Sequence, residues 1–421
     1  MTGTARWQGA LRLCADAGCP ALELRSDLAG VALPLPGLLY KPASVEAPLR
    51  LKLNLNPPFR LERLELKLPR AGTTAETIDL DGALETAGFA LQINGADLQG
   101  KVLLPRGGGP LQVHLDRLQL TALMSPEDAA ETERVAKRES YYPQLLGRVK
   151  LPAADIRVDS LWLGEKALGD WRFNLRPDAN ETRISALEAY LEQLILRGEA
   201  HWNQQGEQHT ELTLKLVGDD LGPLLERWHY GRVVETSQVE SRLQLSWKGA
   251  PWEVSPERLD GELQFSSRKG RLIETADSTN LLRLFGILNF NSLPRRLRLD
   301  FSDLLKKGIS FDRLNGHYRV EQGVATTVEP LVMTGPSANL SVQGRVDLTT
   351  KTLDNQVEIA LPISGNASLA AVLLGAPQVA GAVFVIDKLI GDRLERFSTL
   401  RYRLKGSWDD PEPELLSGSE E

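Results

Sequence analysis

Leu49-Arg50-Leu51-Lys52-Leu53-Asn54-Leu55-Asn56 alternates leucine with a charged or amide side chain at every step. A strand turns successive side chains to opposite faces, so this stretch reads as a half-buried β-strand with one oily face and one wet face. The same period recurs along most of the chain. Leu212, Leu214 and Leu216 alternate with Glu211, Thr213 and Lys215, and Leu243, Leu245 and Trp247 alternate with Gln244, Ser246 and Lys248. Leu297, Leu299 and Phe301 are set against Arg296, Arg298 and Asp300, and Tyr402, Leu404 and Trp408 against Arg401, Arg403, Lys405 and Ser407. Alternation of this kind belongs to antiparallel sheets with one solvated side, whereas parallel sheets give continuous apolar runs and need crossover helices. The fold class expected is mainly β, a long curled antiparallel sheet with a few short helices mostly near the C-terminal end.

Glycines recur beside these strands, at Gly100, Gly198, Gly261, Gly316, Gly344 and Gly406. Such glycines bend and bulge a sheet, and ordinary hairpin turns use them too. Roughly 25 strands of about 4.8 Å spacing would extend about 120 Å as one sheet, and a two-sheet sandwich would be half as long. Aromatic residues make up only 6% of the 421 residues while leucine dominates, which favours an open groove lined by aliphatic side chains over a plugged sandwich core. A groove of that size needs a ligand, because monomers rarely leave more than a few hundred Å² of contiguous apolar surface bare.

The charge balance is mildly acidic, 49 Lys and Arg against 56 Asp and Glu, and the cations are scattered among leucines. That distribution argues against a nucleic-acid binder, which would cluster them. Cys14 and Cys19 have no His cluster that would complete a zinc site; a small disulfide and two free thiols both remain open. The stretch from Met1 to Ala10 lacks a basic start followed by an apolar run, which reads as a cytosolic chain or a piece of a longer one.

Three segments break the strand rhythm. Ser125 to Arg138 reads as a polar helix, with Ser125 as cap, Pro126, Glu127 and Asp128 in the first turn and Lys137 and Arg138 at the end. From Asp277 to Asn289, Leu281, Leu284, Phe285 and Leu288 fall at i, i+3, i+4 and i+7, the spacing of an amphipathic helix. Ile359 to Ile386 contains no charged residue, but Pro362, Gly365, Asn366, Gly375, Pro377 and Gly381 interrupt it, so it reads as two short apolar helices or a re-entrant hairpin. The last two segments either seal the sheet's interior or touch a membrane. The resulting division is a β-groove segment over 1–124, a polar helical excursion over 125–140, a second β-groove segment over 141–276, a C-terminal region over 277–412 and a disordered tail over 413–421.

No catalytic constellation emerges. His114, His201, His209, His229 and His317 form no HExxH or HxH, and the chain has no GxSxG, GxxxxGK or GxGxxG. Asp219-Asp220 and Asp409-Asp410 sit among turn residues and read as solvated. The expectation is a protein that is not an enzyme, with no cofactor and no metal.

Several stretches carry a resemblance. Gly286-Ile-Leu-Asn-Phe290, Leu293-Pro-Arg-Arg-Leu-Arg-Leu-Asp-Phe-Ser-Asp303, Lys307-Gly308-Ile-Ser-Phe311-Asp312, Gly335-Pro336-Ser337-Ala338 and Gly406-Ser-Trp408-Asp-Asp-Pro411 resemble the C-terminal region of AsmA-like envelope proteins of the YhdP type. Leu24-Arg-Ser26-Asp27-Leu28-Ala-Gly30, with Leu35-Pro36 and Lys41-Pro42, resembles the middle region of the same family. The resemblance runs over roughly 20 to 412 and is most specific over 277 to 338. It implies a bridge-like lipid transfer protein of the Gram-negative envelope, with an inner-membrane helix, a periplasmic taco-like sheet holding an oily groove, and a C-terminal end directed at the outer membrane. It further implies non-enzymatic phospholipid transport between the membranes, with phospholipids, the outer membrane or a protein associated with it, and the N-terminal remainder of a longer anchored chain as partners. Pairing of exposed sheet edges with client strands, as in an assembly factor for outer-membrane proteins, is the alternative.

On this basis Leu51, Leu53, Leu212, Leu214, Leu243, Leu245, Leu297, Leu299, Val342 and Val346 are expected to line the groove. Leu284, Phe285, Leu373, Leu374, Phe384 and Ile386 are expected to contact membrane.

Overall fold

Strand succeeds strand where the period-2 alternation runs. The computed structural model describes residues 2–13, 20–33, 41–56, 60–69, 77–120, 151–273, 309–336, 338–362, 384–390, 393–407 and 411–416. Among the described residues the fold is mainly β and almost without helix. The chain divides into two compact units, Met1–Ala189 with Glu199–Gln208, and Tyr190–Gly198 with His209–Glu421.

The first unit opens with a small two-stranded pair of β1 (Thr2–Gly3) and β4 (Val31–Ala32). Its main ladder runs from β2 (Gln8–Arg12) through β3 (Ala21–Ser26), β5 (Leu49–Asn54), β6 (Arg60–Pro69), β7 (Thr77–Leu84), β8 (Gly88–Asn94) and β9 (Leu98–Pro105) to β10 (Leu111–Gln119), antiparallel throughout. The next pairing departs from the all-antiparallel expectation, because β10 lies parallel to β11 (Ala154–Val158) and to the short β12 (Leu161–Leu163). Parallel neighbours need a crossover of a dozen or more residues, and the long connection between Gln119 and Ala154 supplies it. Antiparallel pairing then resumes, β12 with β13 (Lys166–Ala167) and β11 with β14 (Asp170–Pro177). The boundary between the units falls within β15 (Glu181–Leu191) and β16 (Leu194–Asn203).

In the second unit β17 (His209–Gly218), β18 (Val234–Lys248), β19 (Asp260–Leu272), β20 (Ile309–Glu321), β21 (Val324–Thr334), β22 (Asn339–Asp347), β23 (Thr352–Pro362) and β25 (Arg393–Ser407) pair in that order, all antiparallel. Along its other edge β25 carries β24 (Phe384–Ile390) and β26 (Glu412–Leu415). Among the described residues no pairing joins the first strand of either ladder to its last, so each sheet is open. A six-residue helix, α1 (Gly222–Arg227), packs Leu224 against Leu194 and Val239.

Turn chemistry and glycine placement account for much of the register. Gln322 and Gly323 both take positive φ between β20 and β21, the two-residue hairpin whose twist matches the strands it joins. Gly344, inside β22, has φ +153°, and a side-chain carbon there would lie 2.2 Å from the Asp354 carbonyl oxygen, so only glycine lets β23 come this close.

Two expectations are corrected. Ile359–Pro362 and Phe384–Ile386 belong to strands β23 and β24 instead of apolar helices: ladder hydrogen bonds to β25 satisfy the backbone at both ends of the segment. Residues 413–415, expected in a disordered tail, lie in β26, which pairs Leu415 with Tyr402. The helices expected over 125–138 and 277–289, Cys14 and Cys19, and the centre of the 359–386 segment lie outside the described residues.

Candidate functional site

Residues opposite one another on neighbouring strands share a face, so register shows which side chains form a surface. In the first unit one row runs Leu24, Leu51, Leu64, Gly82, Leu91, Val102, Val113, Ile156 and Phe173, entirely apolar across nine strands. At about 4.8 Å per strand that row is roughly 40 Å long. Beside it runs a second, Leu49, Leu66, Leu80, Ile93, Gly100, Leu115, Val158 and Trp171. The two rows differ in cover. Leu51, Leu64, Leu91, Val102, Val113 and Ile156 are half-buried, whereas Ile93, Leu115 and Val158 are buried against Leu28, Val31, Leu33 and Ala47 of the β3–β5 connection.

The second unit repeats the arrangement. Leu212, Leu245, Gly261, Val320, Ala325, Val346, Leu353 and Gly406 form one row, and Leu214, Leu243, Leu263 and Tyr318 another. A third, Leu331, Val342, Val357 and Tyr402, crosses β21 to β25. The leucines of β17 and β18 are half-buried, but Val342 and Val357 are 1% and 0% exposed within a cluster that includes Phe311, Met333, Leu340 and Leu404. Tyr318 stands where the two regimes meet, and its burial pushes the phenol up to about 12.

The opposite faces are wet and laced by cross-strand ion pairs. Lys52 meets Glu62 at 3.0 Å, Arg63 meets Asp81 at 3.3 Å, Lys215 meets Glu240 at 3.1 Å and Arg319 meets Glu262 at 3.1 Å. Arg403 grips Asp354 through both oxygens at 2.6 and 2.7 Å and holds that carboxyl below its ordinary range. Exposed pairs of this kind contribute at most about 1 kcal/mol each, so their main effect is to penalise a register slip that would turn charges onto the oily face. A 720 Å³ depression on the wet face of the second unit is lined by Glu240, Arg242, Gln264, Ser266, Asn315, His317 and Glu329. Glu240 there is already paired with Lys215 and Arg242, and His317 lies 3.2 Å from Glu262.

His114, Asp116 and Asp159, all exposed, bring their ligand atoms within 4.8 Å of one another, the arrangement among the described residues in which a metal ion would find three donors. Asp159 already accepts from His114 at 2.8 Å and Arg157 at 2.7 Å, which holds its carboxyl below the usual range. These contacts are those of a surface ion-pair cluster.

Of the residues expected to line a groove, Leu51 and Leu53 lie on the apolar face of the first unit, and Leu212, Leu214, Leu243, Leu245, Val342 and Val346 on that of the second. Leu297 and Leu299 are outside the described residues, as are Leu284, Phe285, Leu373 and Leu374; Phe384 and Ile386 are in β24. Leu64, Leu80, Leu91, Val102, Val113 and Ile156 were not singled out, although each obeys the same alternation. Strands β7, β8 and β9 are broken by glycine or by small residues such as Ala83 and Ala90, which weakens the visible period there. No described helix is long and apolar enough to cross a membrane.

The YhdP protein family matches residues 62–412. Over 266 residues, 62% of this chain, it is 29% identical to a protein of Escherichia coli (strain K12) named intermembrane phospholipid transporter YhdP. The aligned part is 20% of that relative's length. No solved structure matches. With its match extending from β6 to β26, the chain belongs to the YhdP family.

Proposed function

We propose that this chain moves phospholipid between the inner and outer membranes of a Gram-negative envelope without chemistry, acyl tails resting on the apolar faces while head groups stay in water. The observation that carries the reading is the unbroken apolar row across nine strands of the first unit, left partly exposed along most of its length. Each tail methylene removed from water contributes about 0.8 kcal/mol, so a row of leucine and valine holds a tail that water would reject. A floor of nearly uniform side chains makes successive positions close to isoenergetic, so a tail slides without a catalytic group. A charge on such a floor interrupts it, because an ion in a water-poor site is costly. Leu284, Phe285, Leu373, Leu374, Phe384 and Ile386 form the membrane-facing end in this reading, with the outer membrane as partner and the periplasm as location. The relative's name as an intermembrane phospholipid transporter supports lipid as the cargo.

Alternation supplies its own control. Benzoylphenylalanine placed at Leu91 or Leu245 faces the floor, and placed at Gln92 or Gln244 faces the wet side. Irradiation of the full chain in cells is expected to attach phospholipid at the first two positions and not at the second two. Equal labelling on both faces, or none on either, contradicts the proposal.

A further inference from the structure

Lysine is among the residues least often buried, and Lys41 is 1% exposed. Its ammonium donates to the carbonyl oxygens of Leu28 at 2.8 Å, Val31 at 2.7 Å and Pro42 at 3.2 Å, which uses all three of its N–H bonds. Burial lowers its pKa and the Asp27 carboxylate partly opposes that shift. A cation desolvated this far persists only where its hydrogen bonds are complete, so the three carbonyls are held in place by the same contacts that tolerate the charge.

Those carbonyls belong to two described stretches, 27–33 and 41–48, that fold over the sheet. Leu28 takes φ +50°, an unfavourable conformation for leucine, and its carbonyl meets the ammonium. Gly30 N–H donates to Ala43, Leu33 and Lys41 exchange two backbone bonds, and Ala47 N–H donates to Asp27 at 2.6 Å. Beneath this lattice Leu28, Val31, Leu33 and Ala47 pack with Leu68, Ile78, Ile93, Leu98, Leu115 and Val158. The described stretches 27–33 and 41–48 therefore form a cap over Ile93, Leu115 and Val158, while the row through Leu51, Leu64 and Leu91 stays partly exposed.

We propose that Lys41 is a positioning residue that locks this cap over the Ile93–Leu115–Val158 row and so confines an apolar chain to the open row beside it. The cap's existence stands on geometry alone, whereas the confinement of lipid rests on the function proposed above. The test separates them.

In a chain carrying Cys14→Ser and Cys19→Ser, Ile93→Cys reports the covered row and Leu340→Cys, buried in the second unit, reports general loosening. Adding Lys41→Met is expected to raise maleimide labelling at Ile93→Cys by about tenfold or more through local opening while leaving Leu340→Cys slow. Unchanged labelling at Ile93→Cys, or a parallel rise at both sites, overturns the role assigned to Lys41. If Lys41→Met does not fold, hydrogen exchange on the unaltered chain decides: the Gly30, Leu33 and Ala47 amides should be protected like those of β8 and β9, and free exchange refutes a locked cap. For the lipid part, vesicles of phosphatidylethanolamine and phosphatidylglycerol bearing a diazirine tail should label Leu64 and Leu91 in the unaltered chain and extend to Ile93 and Leu115 in the Lys41→Met chain. Labelling of Ile93 and Leu115 before the change contradicts confinement, and an opened cap that gains no lipid label contradicts it while leaving the lock in place.

Discussion

β17 and β23 have the same period and opposite fates. In β17, Leu212, Leu214 and Leu216 alternate with Glu211, Thr213 and Lys215 and remain half-exposed; in β23, Leu353, Val357 and Ile359 alternate with Asp354, Gln356 and Glu358 and are sealed. Both sets lie on the apolar face of the second unit. Alternation thus decides which face a side chain takes, and what lies over that face decides whether it forms core or surface. A half-exposed apolar row is available to a ligand, and a sealed row stabilises the unit.

Substitutions should break this comparison in two directions. The largest effect is expected in the sealed region, where Leu404→Ala, at a residue 1% exposed, should cost about 2–5 kcal/mol and lower Tm in a thermal melt. A near-neutral result would show that the β21–β25 face is loosely packed. The paired change Leu214→Ser with Leu243→Ser, cross-strand neighbours on the partly exposed side, should cost only about 1 kcal/mol per residue, since each side chain is already partly in water. Lipid uptake should nevertheless fall severalfold, and a chain strongly destabilised by this pair would place these leucines in the core.

The wet face gives the smallest effect and a pH signature. Arg403 lowers the folded-state pKa of Asp354, so the pair's contribution is present above the unfolded carboxyl value near pH ~4 and is lost as pH falls through the lower folded value. Asp354→Asn should therefore cost at most about 1 kcal/mol at neutral pH, with the two chains converging in stability below about pH 4 in denaturant titrations. A gap that persists after Asp354 has been protonated in the folded chain would mean that the asparagine disturbs packing instead of charge.

Face assignment was legible in the sequence because period 2 is a property of the backbone and needs no partner. Strand register was not, since it depends on turns such as Gln322-Gly323 and on bulges such as that between Leu115 and Arg117. The parallel pairing of β10 with β11 was hidden because its two strands are separated by more than thirty residues, and nothing local marks a crossover. The run from Ile359 to Ile386 misled in another way. An uncharged stretch fits a buried strand as well as an apolar helix, and only the ladder to β25 decides at its ends. Lys41 was visible as part of a resemblance but not as a buried cation, because residue type predicts exposure and the three carbonyls of Leu28, Val31 and Pro42 override it.

The central claim, that the half-exposed apolar faces hold acyl tails, is tested most directly by mass spectrometry of the chain purified without detergent from an envelope that supplies phospholipid. The account predicts phospholipid in at least equimolar amount, with loss of most of it on Leu214→Asp together with Leu243→Asp in a chain that still melts cooperatively. A folded, unaltered chain that carries no phospholipid and takes none from vesicles would contradict it.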